Sequence, residues 1–159
     1  MSGAEPVSLV EQKLREKGFE AAAARGVVKV RATPDRLREL AEETVNLGFD
    51  HLASVEGVDW PQEGVVEVVY HAESYREDLR GVLVEIRVRV PRDDPKLPSL
   101  IDVWPNAILL ERETWEMLGV VFEGNPDLRR LLLPPDWSGP PPLRKDFKVV
   151  EEGTYVEVE

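Results

Sequence analysis

Apolar and polar positions divide the chain into segments of helical and strand period. Val7, Val10 and Leu14 share one helical face after Pro6, and Gly18 stops that run, which predicts a first amphipathic helix. The Ala21–Ala24 run reads as an extension of this helix or a short second one. From Gly26 the period changes to two. Val28, Val30 and Ala32 face one way while Lys29 and Arg31 face the other, the mark of a strand. Thr33-Pro34-Asp35 is a helix start, with Thr33 as the expected N-cap. Leu37, Leu40, Ala41, Thr44 and Leu47 keep helical spacing up to Gly48. Three strands are then expected, over residues 50–58, 65–71 and 82–90, with short polar or Gly-containing links that favour antiparallel pairing. Trp60-Pro61 reads as a turn between two of them, and Tyr70 and Tyr75 as core or rim residues.

The pattern changes at Pro91. Pro91, Pro95, Pro98 and Pro105 exclude a central strand or a helix over residues 91–106. Asn106 is the expected N-cap of a helix to Leu118, with Gly119 as its terminator. Beyond lie Val120-Val121-Phe122 and Leu131-Leu132-Leu133, then Pro134, Pro135, Pro140, Pro141 and Pro142, which enforce extended backbone. So apolar and irregular a segment cannot satisfy its own backbone, and it is expected to lie on another surface. The tail from Val149 to Glu159 alternates weakly, as an edge strand or as a segment ordered by a partner. The expected architecture is α+β: helices packed on a four-stranded, mostly antiparallel sheet, then a helix and an extended Pro-rich C-terminal arm. It divides into a sheet domain over residues 1–90 and a helix plus extended arm over 91–159.

Composition narrows the chemistry. The chain has 159 residues, no cysteine, and only His51 and His71 as histidines. Disulfides, thiolate metal sites, iron–sulfur ligation and a Cys nucleophile are excluded together. No calcium-loop spacing and no phosphate-cradling glycine motif occurs, so Gly119 and Gly124 read as turn residues. A net charge of −11 disfavours nucleic-acid backbones and anionic lipid. No apolar run approaches the ~20 residues that span a bilayer. The start of the chain lacks the basic and apolar regions of a signal peptide, so a soluble, cytoplasmic chain is expected, touching membrane only through partners.

Acid–base chemistry finds little support. Glu111 and Glu113 stand two apart on a predicted helix and diverge by roughly 200° around it, so they would not flank one substrate. Asp136 and Asp146 lie in extended chain with no evident base beside them. Glu111 and Trp115 share a helical face, and Arg112 and Glu116 have the spacing of an intrahelical ion pair. Trp137 and Phe147 bracket the Pro-rich arm, suited to fill pockets on a partner or to fold back on this chain. Arg144 and Lys145 would supply charge for a partner carboxylate.

Two ordered blocks are specific. The first runs Glu111-Arg112-Glu113, Trp115-Glu116-Met117-Leu118-Gly119, Phe122, then Pro126-Asp127-Leu128-Arg129-Arg130. The second is Asp136-Trp137-Ser138-Gly139 with Leu143-Arg144-Lys145-Asp146-Phe147, and Ser99, Ile101 and Trp104-Pro105-Asn106-Ala107 precede both. Together they resemble the thirty-kilodalton subunit of respiratory complex I, the proton-pumping NADH-quinone oxidoreductase. A weaker likeness extends back to the helix at Thr33. Asn125 replaces a usual His, Pro140-Pro141-Pro142 replaces a His-Pro-Leu approach, and Lys148 stands where Pro is common. These departures mark a divergent member and fit an archaeal source.

The resemblance implies a structural subunit of the peripheral arm, without cofactor or active site of its own. Its partners would be the forty-nine-kilodalton quinone-site subunit and a neighbouring iron–sulfur subunit, on the cytoplasmic face of the membrane. It assigns partner contacts to Glu111, Arg112, Glu113, Trp115, Glu116, Gly119, Phe122, Pro126, Leu128, Arg129, Trp137, Leu143, Arg144, Lys145, Asp146 and Phe147. Related subunits serve energy-converting hydrogenases and deazaflavin-linked dehydrogenases, which are alternatives for the same scaffold. A free-standing acidic enzyme or adaptor is the alternative outside the family.

Overall fold

The computed structural model describes residues 5–137 and 139–148, so the weakly alternating tail lies outside the described residues. Helix α1 (Pro6–Glu16) leads into strands β1 (Glu20–Ala24) and β2 (Val27–Ala32), and a short 3-10 turn enters helix α2 (Leu37–Asn46). Strands β3 (His51–Trp60), β4 (Val65–Glu73) and β5 (Leu83–Pro91) follow. The second half holds β6 (Lys96–Pro98), α3 (Ala107–Leu118) and β7 (Val121–Glu123).

The sheet has five strands in the order β1-β2-β5-β4-β3, with only β2 and β5 parallel. The α+β class and antiparallel bias expected from the sequence hold, but the strand count is corrected from four to five. The extra strand is the alanine run that reads as helix. Arg25 and Gly26 both have positive φ, 54° and 81°, which makes the two-residue turn that folds β1 back on β2. Gly26 must be small for a second reason: a Cβ there would lie 2.9 Å from the Gly81 carbonyl oxygen.

One sheet face is the core. Val28 and Val30 of β2, Val66, Val68 and Tyr70 of β4, and Val84, Ile86 and Val88 of β5 join α1, α2, Trp104, Leu118 and Phe122 in one buried cluster. Trp104 is completely buried, and its indole N–H donates to the Phe49 carbonyl. The opposite face carries charge. There Glu67 accepts hydrogen bonds from Trp60, Arg87 and Arg89, and His71 lies between Ser54 and Glu85.

Both edges of the sheet are occupied by helix side chains. On β1, Glu11 accepts from the Ala23 N–H and Arg15 donates to the Ala21 carbonyl. On β3, Asn106 donates to the Leu52 carbonyl and Thr114 to the Val55 carbonyl. Asn106 therefore bonds to β3 and makes no side-chain cap on α3, contrary to expectation; Thr33 makes none either. Gly57 lets α3 approach, since a Cβ there would collide with Leu118.

The Tyr70 hydroxyl is buried and, among the described residues, has no hydrogen-bond partner. Its burial, with the nearby Glu111 charge, pushes the phenol well above its ordinary range. An unpaired buried hydroxyl costs about 1–3 kcal/mol. Tyr70→Phe should therefore preserve the fold and raise stability by about 1 kcal/mol, read by chemical denaturation; a loss of stability would show that the hydroxyl is paired.

Candidate docking site

Residues 124–137 and 139–148, after β7, have no helix or strand, yet side chains of α3 and β3 hydrogen-bond six of their backbone groups. Glu111, Arg112 and Glu116 of α3 are buried, and the last two make five of these bonds. Glu111, fully buried, accepts from the Ser99 hydroxyl at 2.6 Å, the Leu100 N–H at 2.7 Å and the Asn125 amide at 3.0 Å. Arg112 donates to the carbonyls of Arg129 and Arg130 and pairs with Asp127 at 3.2 Å. Glu116 accepts from three successive N–H groups, those of Leu131, Leu132 and Leu133, at 2.8–2.9 Å. Successive amides converging on one carboxylate form an anion-binding nest.

These contacts correct the expected Arg112–Glu116 ion pair. Spacing permits it, but each group turns to backbone atoms of the returning chain: Arg112 to carbonyls, Glu116 to amides. The irregular stretch would otherwise leave those groups unpaired, at about 1–3 kcal/mol each. They also correct the idea that this stretch needs a foreign surface to satisfy its backbone. Asn125, at the position of the expected His, donates to Glu111 and the Ile108 carbonyl and accepts from the Asp127 N–H.

A second anchor lies at the end of the sheet. Asp59 is almost fully buried and receives a two-pronged pair from Arg92 at 2.7 and 2.9 Å, together with the Lys145 N–H at 2.8 Å. The Arg92 guanidinium holds the Asp59 carboxyl below its usual range. Arg92 also reaches Asp146 at 3.2 Å. Arg144 donates to the Leu118 carbonyl and the Leu143 N–H to the Met117 carbonyl, so the arm satisfies the end of α3. Gly119, left-handed with φ 83°, ends the helix where Pro141 and Arg144 cross it.

The resemblance-assigned residues thus divide. Glu111, Arg112, Glu116 and Phe122 are buried, and the polar atoms of the three charged ones are engaged within the chain. Trp115 is half-buried beneath the Arg130 guanidinium, 5.1 Å from its ring centre. Trp137 and Phe147, half-buried, pack against each other with centroids 6.2 Å apart and planes tilted by 37°. Leu128 is half-buried, whereas Glu113, Pro126, Arg129, Leu143, Lys145 and Asp146 face solvent. Glu113 points out while Glu111 points in, so the two do not act on one substrate. Sequence reasoning misses Asp59 and Arg92. The available signal is parity: on β3 the inward row runs Val55, Gly57, Asp59, which puts an acid at a core position.

Among the described residues no group of three His, Asp or Glu side chains is placed to hold a metal ion. The charged sheet face has a shallow depression of about 410 Å³ beside Phe19, Arg31, Arg36 and Glu67. Glu111, whose carboxyl is raised mainly by burial and only partly restrained by its three donors, does not line it. No helix among the described residues is long and apolar enough to cross a membrane.

A helix whose buried charges strap an irregular, proline-rich arm to an α+β sheet leaves the arm's outer side in solvent. The family model for the respiratory-chain NADH dehydrogenase 30 Kd subunit matches residues 28–153, and the chain belongs to that family. It is 40% identical to a subunit of the F(420)H(2) dehydrogenase of Methanosarcina mazei, over 86% of this chain and 89% of that one. It is 38% identical to NADH-quinone oxidoreductase subunit 5 of Thermus thermophilus, over 77% of this chain and 65% of the relative. Among solved structures it resembles a chain of the membrane-bound sulfane sulfur reductase, an archaeal respiratory membrane complex. That likeness has a TM-score of 0.81 and 28% identity, and covers 95% of this chain and 88% of that one. The trypsin-resistant fragment of Nqo5 matches with a TM-score of 0.67 and 34% identity, over 77% of this chain and 99% of the fragment.

Two outcomes test the strapping. Burial alone would raise the Glu116 carboxyl, but the N–H groups of Leu132, Leu133 and Leu131, with Arg130 nearby, hold it below its ordinary value. Stability from such a group is present above the unfolded-state pKa and lost as pH falls through the folded one. Glu116→Gln should thus cost about 2 kcal/mol at pH 7. The gap should close as pH falls below the ordinary carboxylate range and through the depressed folded-state value, where the wild-type carboxyl is also protonated. Denaturant titrations from neutral pH downwards check this, and a gap independent of pH would remove the carboxylate from the account. Separately, Asp59→Asn should leave the sheet intact but speed amide exchange over residues 143–147 several-fold, because Lys145 and Arg92 lose their charged anchor.

Proposed function

We propose that this chain is a non-catalytic scaffold subunit in the peripheral arm of a proton-translocating quinone oxidoreductase fed by NADH or an equivalent donor. The sheet domain over residues 1–90 braces the assembly. Residues 91–159 dock against the forty-nine-kilodalton quinone-site subunit and a neighbouring iron–sulfur subunit, on the cytoplasmic face of the membrane. The carrying observation is the arm itself: backbone-strapped, with Arg129, Leu143, Lys145 and other side chains left facing solvent. A surface held in one conformation before binding loses less entropy on docking. Firm docking matters because electron and proton transfer in neighbouring subunits depend on precise placement of groups.

The relatives' names support a role in structure over a role in donor chemistry. They cite reduced F420, NADH and sulfane sulfur, while the same fold serves all three. A second reading is the same scaffold in a complex fed by reduced deazaflavin, supported by the 40% identity to the Methanosarcina mazei F(420)H(2) dehydrogenase subunit.

Affinity capture of the tagged full chain from detergent-solubilised source membranes, with mass spectrometry, tests the proposal. Quinone-site and iron–sulfur subunits should co-purify, and the accompanying donor module should name the electron source. Trp137→Ala should reduce incorporation several-fold while each assembled complex keeps its turnover. A lone chain at matched detergent and salt, or intact assembly with collapsed turnover, would overturn the scaffold reading.

A further inference from the structure

Leu131 and Leu132 are 48% and 59% exposed. Scattered surface leucines are ordinary; what distinguishes these two is how their backbone is held. The carbonyls of residues 129 and 130 are bound by Arg112, and the N–H groups of 131, 132 and 133 by Glu116. Arg112 and Glu116 lie one helical turn apart on α3, so five consecutive residues are pinned to a helix through their main-chain atoms. A free loop would fold its leucines onto the nearest apolar surface. A loop fixed by its backbone cannot, and it presents them at no further conformational cost.

The surroundings define the complementary surface. Residues 126–148 carry five basic side chains, Arg129, Arg130, Arg144, Lys145 and Lys148, against the acids Asp127, Asp136 and Asp146. The whole chain has a net charge of −11, so this arm is a basic strip on an acidic molecule. Arg129 and Arg130 directly precede the leucines; the Arg129 side chain is 73% exposed while paired with Asp127 at 2.6 Å, and Arg130 lies over Trp115. We infer that Leu131 and Leu132 form a preorganised apolar knob that inserts into an apolar, carboxylate-rimmed pocket of a neighbouring subunit in the complex, with Glu116 as its positioning residue. A small basic strip flanking an apolar pair is matched by acids around an apolar socket. Self-association of a chain this acidic is opposed by its own charge. The inference rests on the reading of the chain as a subunit of a respiratory complex.

The test uses the full chain in its native complex. With a photo-crosslinking benzoylphenylalanine at position 132, illumination should join this chain to one neighbouring subunit. A crosslinker at Leu143 serves as the comparison site within the same arm. The double variant L131D/L132D should keep the melting temperature of the isolated chain yet enter the complex about tenfold less. Glu116→Gln should speed amide exchange at residues 131–133 of the isolated chain and also lower incorporation. If L131D/L132D impairs folding, Leu132→Gln and the crosslink carry the same decision. Normal incorporation of L131D/L132D, with no crosslink from position 132, would overturn the knob. Should Trp137→Ala still impair assembly in that case, scaffold docking survives without the knob; if every arm variant assembles fully, the docking reading falls as well.

Discussion

An irregular chain segment cannot close its own backbone hydrogen bonds, and this constraint organises the second half of the molecule. Helix α3 answers it with Glu111, Arg112 and Glu116, charged residues buried in positions where most helices place leucine or alanine. Burying a charge is costly unless it is fully paired. Here each one is paired, with neutral hydrogen-bonding groups of the arm and of the β6–α3 connection as its principal partners. The dependence is mutual: the charges need the arm to be buried safely, and the arm needs the charges to hold its shape. Such two-way dependence favours one arrangement over many loosely folded ones.

The anchor at Asp59 extends this logic to the sheet. Arg92 follows the last residue of β5, and Asp59 is the next-to-last residue of β3. Their pair ties two strand ends together, and the same carboxylate takes the Lys145 N–H. Sheet, helix and arm therefore share hydrogen-bonded groups, and the buried apolar residues of sheet and helices form one continuous cluster. For a subunit whose proposed task is to hold others in place, rigidity of this kind is the functional property.

Periodicity makes most of the fold legible in the amino-acid sequence. Strict alternation marks β5 and β2, and helical spacing with a terminal glycine marks α2 and α3. Strand β1 is hidden because alanine is the best intrinsic helix former and the run Ala21–Ala24 has no alternation to contradict that. Pairing with β2 overrides the local preference. The site is legible at the level of which residues matter, through the likeness of its two sequence blocks to one family. How they act is not. The i, i+4 spacing of Arg112 and Glu116 points to a local ion pair, whereas their actual partners lie fifteen to eighteen residues further along. No pattern rule reports which backbone atoms a distant loop will bring back.

The side chains that occupy the two outer strands have a consequence for the life of the protein before assembly. Exposed strand edges are templates on which identical chains stack. Glu11 and Arg15 on β1, and Asn106 and Thr114 on β3, engage part of each outer edge with side chains of the same chain. Side-chain surfaces discriminate between partners, where a bare strand edge would accept any extended chain.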